Sequence, residues 1–141
     1  MIIKSPFLCD RIDDVLAAGI EISHIIIPVR DFSAAAESRA LVQSETTGTR
    51  DGESVAGGLW ESKHSRDQEH VLKSKLAHLV EACVRNGIPM TFLAFPHFAR
   101  DPDYLFDRLR FALPLNASRK KFHRAFAAVI RSDLIHDFKR K

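Results

Sequence analysis

Apolar residues along this chain follow two patterns, short continuous runs and spacings of three and four. One run is formed by the three isoleucines at residues 25–27, and the other is the stretch 90–95, which is apolar except for Thr91. They predict strands at 20–29 and 90–95, and a very short strand is predicted at 2–4, where Pro6 stops it. Since apolar residues on consecutive positions point to both sides of a strand, we expect both faces of the isoleucine strand to be covered.

The helical spacings fill the intervals between these strands. They predict helices at residues 10–18, about 32–42, 67–86, from 102 onward and about 118–130. Asp10 is the expected N-cap of the first helix, and Asp31 or Ser33 is that of the second.

Helices that alternate with short apolar strands predict one α/β domain over residues 1–141, with a short parallel sheet flanked by helices. In the last helix, Phe122, Phe126 and Val129 share a face and are expected to point inward.

Residues 44–65 have no sustained period and contain paired glycines. They predict a long polar loop, and such loops in compact domains are often functional.

The composition is that of a globular protein with a small excess of positive charge. Of the 141 residues, 45% are hydrophobic and 28% are charged, and the formal net charge is +3. This excess fits an anionic ligand, but the basic clusters at 119–124 and 139–141 lack aromatic interleaving on a shared sheet face, so we do not expect nucleic acid as a partner. No apolar run approaches the roughly 20 residues that cross a bilayer, and we expect no membrane partner.

The cysteines and histidines predict no metal site. Cys9 and Cys83 stand in no spacing typical of metal ligands or of a disulfide framework, which indicates a reducing, cytoplasmic setting. His97, His123 and His136 share no spacing suited to zinc, so no metal is expected.

Arg30 ends the isoleucine strand, and Ser38 follows eight residues later in the next helix. Open α/β sheets bind ligands beyond the carboxyl ends of their strands, where a guanidinium group can hold a phosphate through two parallel hydrogen bonds. The N–H groups at the helix start add positive potential for the same anion. The alternative is a surface pair of Arg30 with Asp31 or Glu37, with Ser38 an incidental helix residue.

The order of several segments resembles that of the P-loop sulfotransferase family, over most of the chain. These segments are Lys4–Pro6, the strand end Val29–Asp31, Ser38, the stretch Phe95–Asp103 and the apolar helix Tyr104–Leu113. In that family a Lys-x-Pro-like strand precedes an Arg-x7-Ser motif that binds the 3′-phosphate of 3′-phosphoadenosine 5′-phosphosulfate. The resemblance is to the bacterial branch, and it implies that Arg30 and Ser38 bind this 3′-phosphate.

The chain also departs from that family. It contains neither a P-loop nor a G-x-G-x-x-G turn, so it resembles the later part of a P-loop nucleoside-triphosphate-hydrolase-like domain without the N-terminal portion. The resemblance implies sulfuryl transfer from the nucleotide to a hydroxyl or amine of an unidentified small-molecule acceptor, if the missing P-loop is supplied. The second hypothesis is a non-catalytic α/β interaction module or inactive fragment, which associates with a partner chain or with itself as a homo-oligomer.

Two features of the polar loop bear on an acceptor, although no catalytic residue is assigned. His64 and His70 flank its junction with the next helix, where either is able to remove an acceptor's proton, and the alternative is that both are exposed polar residues. Trp60, the only tryptophan, follows Gly57 and Gly58. It either lines an acceptor pocket or docks the loop on the core, and docking is the preferred interpretation.

Overall fold

The computed structural model describes residues 1–46, 55–62 and 64–135, and it is an α/β structure, as the sequence predicts. No helix in these ranges is long and apolar enough to cross a membrane. In chain order the elements are α1 (Leu8–Ala17), β1 (Ile25–Val29), α2 (Phe32–Thr46), α3 (Ser65–Arg85), β2 (Met90–Ala94), α4 (His97–Arg100), α5 (Pro102–Arg108), a 3₁₀ helix (Arg110–Ala112), α6 (Arg119–Val129) and a second 3₁₀ helix (Ser132–Leu134).

The chain is organised in two compact units, the first formed by residues 1–25 and 31–90 and the second by residues 26–30 and those from 91 onward. In the first unit, α1 and α2 each pack against α3. Several of its core residues are alanines, which let helix backbones approach closely because the interaxial distance depends on the side chains at the contact. The buried apolar residues of this unit's helices and of the segment after α3 are Cys9, Ile12, Ala34, Ala36, Leu79, Ala82, Cys83 and Ile88.

β1 and β2 pair in a two-stranded parallel sheet, so the predicted parallel arrangement is confirmed. Burial alternates along β1, because Ile25 and Ile27 are buried whereas Ile26 is 39% exposed. Phe92 of β2 is 37% exposed. The expectation that both faces are covered is therefore wrong: successive side chains point to opposite faces, and the described elements bury only one of them well.

The predicted first strand is also wrong. Ile2 and Ile3 are 94% and 68% exposed, and residues 1–7 contain no strand, so Lys4 does not lie in one either. β1 begins at Ile25 rather than at residue 20, and Ile20 is 51% exposed. A strand needs a hydrogen-bonded neighbour, and in the described part of the chain β1 and β2, of 5 residues each, pair only with one another.

The helix starts differ in how they are capped. Oδ1 of Asp31 accepts a hydrogen bond from the backbone N–H of Ala34 at 3.0 Å, so Asp31 acts as the N-cap of α2. α1 instead begins at Leu8 without a side-chain cap, and the predicted capping role of Asp10 is wrong. Asp10 lies in the first turn of α1, where a carboxylate interacts favourably with the helix dipole.

In the second unit, α5 and α6 pack together. Phe106 of α5 is only 4% exposed, and its ring meets that of Phe122 edge-on with centres 5.3 Å apart. The prediction that Val129 points inward is wrong, because Val129 is 75% exposed and α6 has no buried residue. The side chains of α6 that contact α5 include Arg119, Phe122 and His123, all in the first half of the helix. Val129 lies in its last turn, beyond these contacts.

Candidate functional site

Arg30 lies at the carboxyl end of β1, directly after Val29. Its guanidinium carbon is 5.3 Å from the centre of the Phe95 ring, and Phe95 directly follows β2. The backbone N–H of Phe95 donates to the carbonyl of Val29 at 2.8 Å, which holds the two strand ends side by side. The carboxyl edge of the parallel pair therefore presents a half-buried guanidinium group over an aromatic ring, and cation–π attraction stabilises that arrangement.

The helix that follows Arg30 contributes less to an anion site than the sequence suggests. The side chain of Asp31 already accepts the N–H of Ala34, so one of the free N–H groups of the helix start is satisfied by a carboxylate. A negative side chain at this position also opposes a second anion. The phosphate prediction therefore depends on the side chains of Arg30 and Ser38.

Ser38 lies in the second turn of α2 and is half-buried. It belongs to the first unit, whereas Arg30 belongs to the second. That both side chains act on one phosphate stays a prediction.

The polar loop before α3 is shorter than predicted and is tied to α2. Helix α2 continues to Thr46, and of the remaining loop, residues 47–54 and Lys63 lie outside the described ranges. The carbonyl of Gly58 accepts a hydrogen bond from Nη1 of Arg39 at 2.7 Å. The N–H of Leu59 donates to Oε1 of Gln43 at 3.2 Å. Both side chains belong to α2, so this helix holds the paired-glycine turn in place.

Trp60 docks the loop on the first unit. Its ring meets that of Phe7 edge-on at 5.7 Å, and it lies 5.5 Å from the Arg39 guanidinium and 5.3 Å from the Lys75 ammonium group. The backbone N–H of Trp60 donates to Oε1 of the fully buried Gln68 at 2.5 Å. These contacts support the docking role, which was the preferred interpretation of the sequence.

Lys75 of α3 links the loop to α1 through two ion pairs. Its ammonium group donates to Glu61 of the loop at 2.6 Å and to Asp10 of α1. The hydrogen bonds to Asp10 and then to Glu61 raise the pKa of Lys75. A lysine with a raised pKa stays protonated at neutral pH, so Lys75 is a structural cation and not a general base.

A groove of about 1090 Å³ lies in the first unit beside His64. Glu37 of α2, Leu59 of the loop and Glu69 of α3 line it together with His64. His64 and His70 are both exposed, but only His64 lines the groove. Of the two histidines that the sequence singles out as proton acceptors, His64 therefore borders a space of a size that admits a small molecule.

The second unit contains a histidine–carboxylate pair that was not predicted from the sequence. Nε2 of His97 is 3.1 Å from Oδ2 of Asp101, and the His97 ring stacks on that of Tyr104 with centres 4.0 Å apart. The backbone N–H of Tyr104, above all, and the side chain of His97 lower the pKa of Asp101. The signal was the spacing of four residues between His97 and Asp101, which favours a side-chain pair over a helical turn. This pair orders the junction between α4 and α5.

The described residues contain no group of three or more histidine, cysteine or carboxylate side chains that could hold a metal ion, and His136 lies outside them. Family models, curated proteins and solved structures give no match to this chain. The likeness to sulfotransferases therefore rests on the order of its motifs.

Proposed function

We propose that this chain binds the 3′-phosphate of a phosphoadenosine nucleotide through Arg30 and Ser38. The observation that carries the proposal is the position of Arg30 at the carboxyl end of a parallel strand, between β1 and the helix that bears Ser38. Ligands of open α/β sheets bind at this end of the strands, and a guanidinium group is suited to a phosphate because it donates two parallel hydrogen bonds.

The donor that fits the motif order is 3′-phosphoadenosine 5′-phosphosulfate. When bound, it supplies a sulfuryl group for transfer to a hydroxyl or amine, and this chemistry depends on a P-loop that the printed sequence lacks. The chain's own contribution is to hold the 3′-phosphate and to offer the groove beside His64 for the acceptor. His64 would accept the proton that the attacking group loses.

The proposal is tested by calorimetric titration with adenosine 3′,5′-bisphosphate, with adenosine 5′-monophosphate as the ligand that lacks the 3′-phosphate. We expect Arg30→Ala to weaken the bisphosphate at least about tenfold, since a hydrogen bond to a charged group contributes about 1.5–3 kcal/mol. Arg30→Lys should restore only part of the loss because an ammonium group cannot donate two parallel bonds. Ser38→Ala should weaken the same ligand and leave the monophosphate unchanged.

The matched control is Arg131→Ala, which removes the same charge at a residue whose exposed side chain pairs with Asp133. It should bind the bisphosphate as the wild type does. Equal affinity of wild type and Arg30→Ala, or no affinity in either, would overturn the proposal.

A cytoplasmic setting is part of the proposal. Cys9 and Cys83 are both unpaired and buried. Burial is the largest cause that raises the pKa of each thiol. Free thiols persist in reducing compartments, where the nucleotide donor would also have to be present.

The second candidate function is a non-catalytic α/β module or inactive fragment that associates with a partner chain or with itself. One observation favours it, namely the exposed apolar side chains of Ile26 and Phe92 on the sheet. Light scattering over a range of concentrations tests self-association, with Phe92→Ser as the variant that should shift the protein toward monomer. A wild type that is monomeric at all concentrations counts against self-association.

A further inference from the structure

The second unit contains a stretch in which all charged side chains are positive. Between Asp107 and Asp133 there is no acidic residue, and the stretch contains seven cations. They are Arg108, Arg110, Arg119, Lys120, Lys121, Arg124 and Arg131. The phosphate proposal does not use any of them.

Some of these cations have structural partners in the second unit. Arg108 donates to the carbonyl of Phe92 at 2.8 Å, and Arg119 pairs with Asp103 and Asp107. These two arginines therefore stabilise the packing of α5, and we do not assign them to a binding surface.

Lys120, Lys121 and Arg124 are different. All three are exposed, and no described residue is paired with them. At 100° per residue they fall within about one third of the circumference of α6. Since α6 has no buried residue, it presents this cationic sector to solvent.

A large apolar side chain is exposed in the same stretch, since Leu115 is 97% exposed. The connection that carries Leu115 is ordered, because Arg110 donates to the carbonyls of Leu115 at 3.2 Å and Ala117 at 3.5 Å. Leu115 and Lys120 are five positions apart in the sequence, so their Cα atoms are at most about 18 Å apart. An exposed leucine a few residues from cations that have no partner among the described residues suits a ligand that is both apolar and anionic.

We propose that this cationic–apolar surface, formed by Leu115, Lys120, Lys121 and Arg124, docks on an anionic lipid bilayer. Lysine and arginine are attracted to anionic headgroups, and exposed apolar side chains enter the boundary between headgroups and acyl chains. The expectation of no membrane partner rested on the absence of a spanning run, which a peripheral contact does not need. The proposal is independent of the nucleotide site.

Two other occupants fit the surface less well. Nucleic acid would satisfy the cations, but a leucine has no aromatic ring for a base to stack on. In a symmetric dimer the same patch meets itself, so the lysines of both copies would face one another and repel. A bilayer surface is the occupant that matches both the cations and the apolar side chain of Leu115.

The test is sedimentation of the full chain with phosphatidylcholine vesicles, with and without phosphatidylglycerol. We expect binding only when phosphatidylglycerol is present, and weaker binding as salt is raised. The double variant Lys120→Ala/Lys121→Ala should lower the partition coefficient about thirtyfold, at about 1 kcal/mol for each cation near the surface. Leu115→Ser should lower it about tenfold, since it removes the apolar group that enters the bilayer. These side chains are exposed, so the fold should be unchanged by circular dichroism.

Two controls have matched chemistry outside the surface. Arg66→Ala/Lys73→Ala removes two cations from α3, and Val84→Ser removes an apolar side chain that is 69% exposed on the same helix. Both should bind vesicles as the wild type does. The proposal is overturned if wild type does not bind the anionic vesicles, if the α3 variants lose as much binding, or if Leu115→Ser has no effect while a single-stranded polynucleotide competes for the protein.

Discussion

Replacement of Gly58 by alanine tests how tightly the paired-glycine turn is docked. A Cβ atom on Gly58 would lie 2.3 Å from Oε1 of Gln43 and 3.1 Å from both the Cβ and the carbonyl oxygen of Val55. Gln43 cannot move away without losing its hydrogen bond from Leu59, and the N–H of Gly58 itself holds the Val55 carbonyl at 2.9 Å. Because both neighbours are constrained, we expect overpacking to lower the free energy of unfolding by about 1–3 kcal/mol.

Trp60 is the only tryptophan and stands two residues after Gly58, so its fluorescence reports on this turn. Urea unfolding followed by that fluorescence gives the free energy, and acrylamide quenching of the native protein shows whether the ring has left its contacts. Gly87→Ala is the matched control, because Gly87 has a φ of +65° and no atom within 4 Å of an added Cβ. It should cost about 1–2 kcal/mol from backbone strain and leave the quenching unchanged. A Gly58→Ala protein with wild-type stability and wild-type quenching would refute the reasoning.

Phe106→Ala should lower the free energy of unfolding by about 3–5 kcal/mol, measured by far-ultraviolet circular dichroism in urea, because Phe106 is buried; the half-exposed Phe111→Ala should cost clearly less. Cys9 and Cys83 should react with Ellman's reagent only after denaturation, since burial raises the pKa of both thiols, and rapid reaction of the native protein would contradict this. The pKa of Asp101 is lowered in the fold, so its stabilising effect is present above the ordinary carboxyl pKa and is lost as pH falls through the lowered one. Asp101 is the N-cap of α5, because its carboxylate accepts the backbone N–H groups of Asp103 and Tyr104. The difference in urea midpoint between wild type and Asp101→Ala should therefore vanish in acid, and a difference that persists there would count against this capping role.

Elements with both a spacing signal and a boundary signal could be predicted from the sequence. The helix predicted from residue 102 begins there, since an acid followed by proline is typical of a helix start. The start of α2 agrees with Asp31 as its cap. Both signals are local, because a cap depends on residues within one turn of the helix. The short helix α4 has neither signal, since it is a single turn of 4 residues between Pro96 and Asp101.

Strands were predicted less well because pairing is not a local property. Three isoleucines in a row indicate an apolar strand equally well when one or both faces are buried, and the exposure of Ile26 depends on which elements pack on the sheet. The exposed segments at Ile2 and Ile20 show the same limit. Their side chains favour strands, but in the described structure they have no neighbouring strand to pair with.

The candidate site was likewise predictable only where it depends on local sequence. The position of Arg30 after a strand follows from the sequence, whereas its contact with Phe95 requires knowledge that the two strands are neighbours in a parallel pair. The docking of Trp60 by Lys75 and Arg39 depends on side chains from three separate segments. No spacing rule relates such segments before the fold is known.

The two proposed ligands are both anions, yet the chemistry of their sites separates them. A phosphate held by Arg30 is bound through a few directional hydrogen bonds, so loss of one guanidinium group removes much of the affinity and salt has a limited effect. A bilayer that meets Lys120, Lys121 and Arg124 is bound through many weak attractions, each of which extends over about 10 Å and is screened by salt. Arg30→Ala should therefore spare vesicle binding, and the lysine variants should spare the nucleotide. If either variant abolished both, a general attraction of this basic protein for anions would explain the data better than two sites.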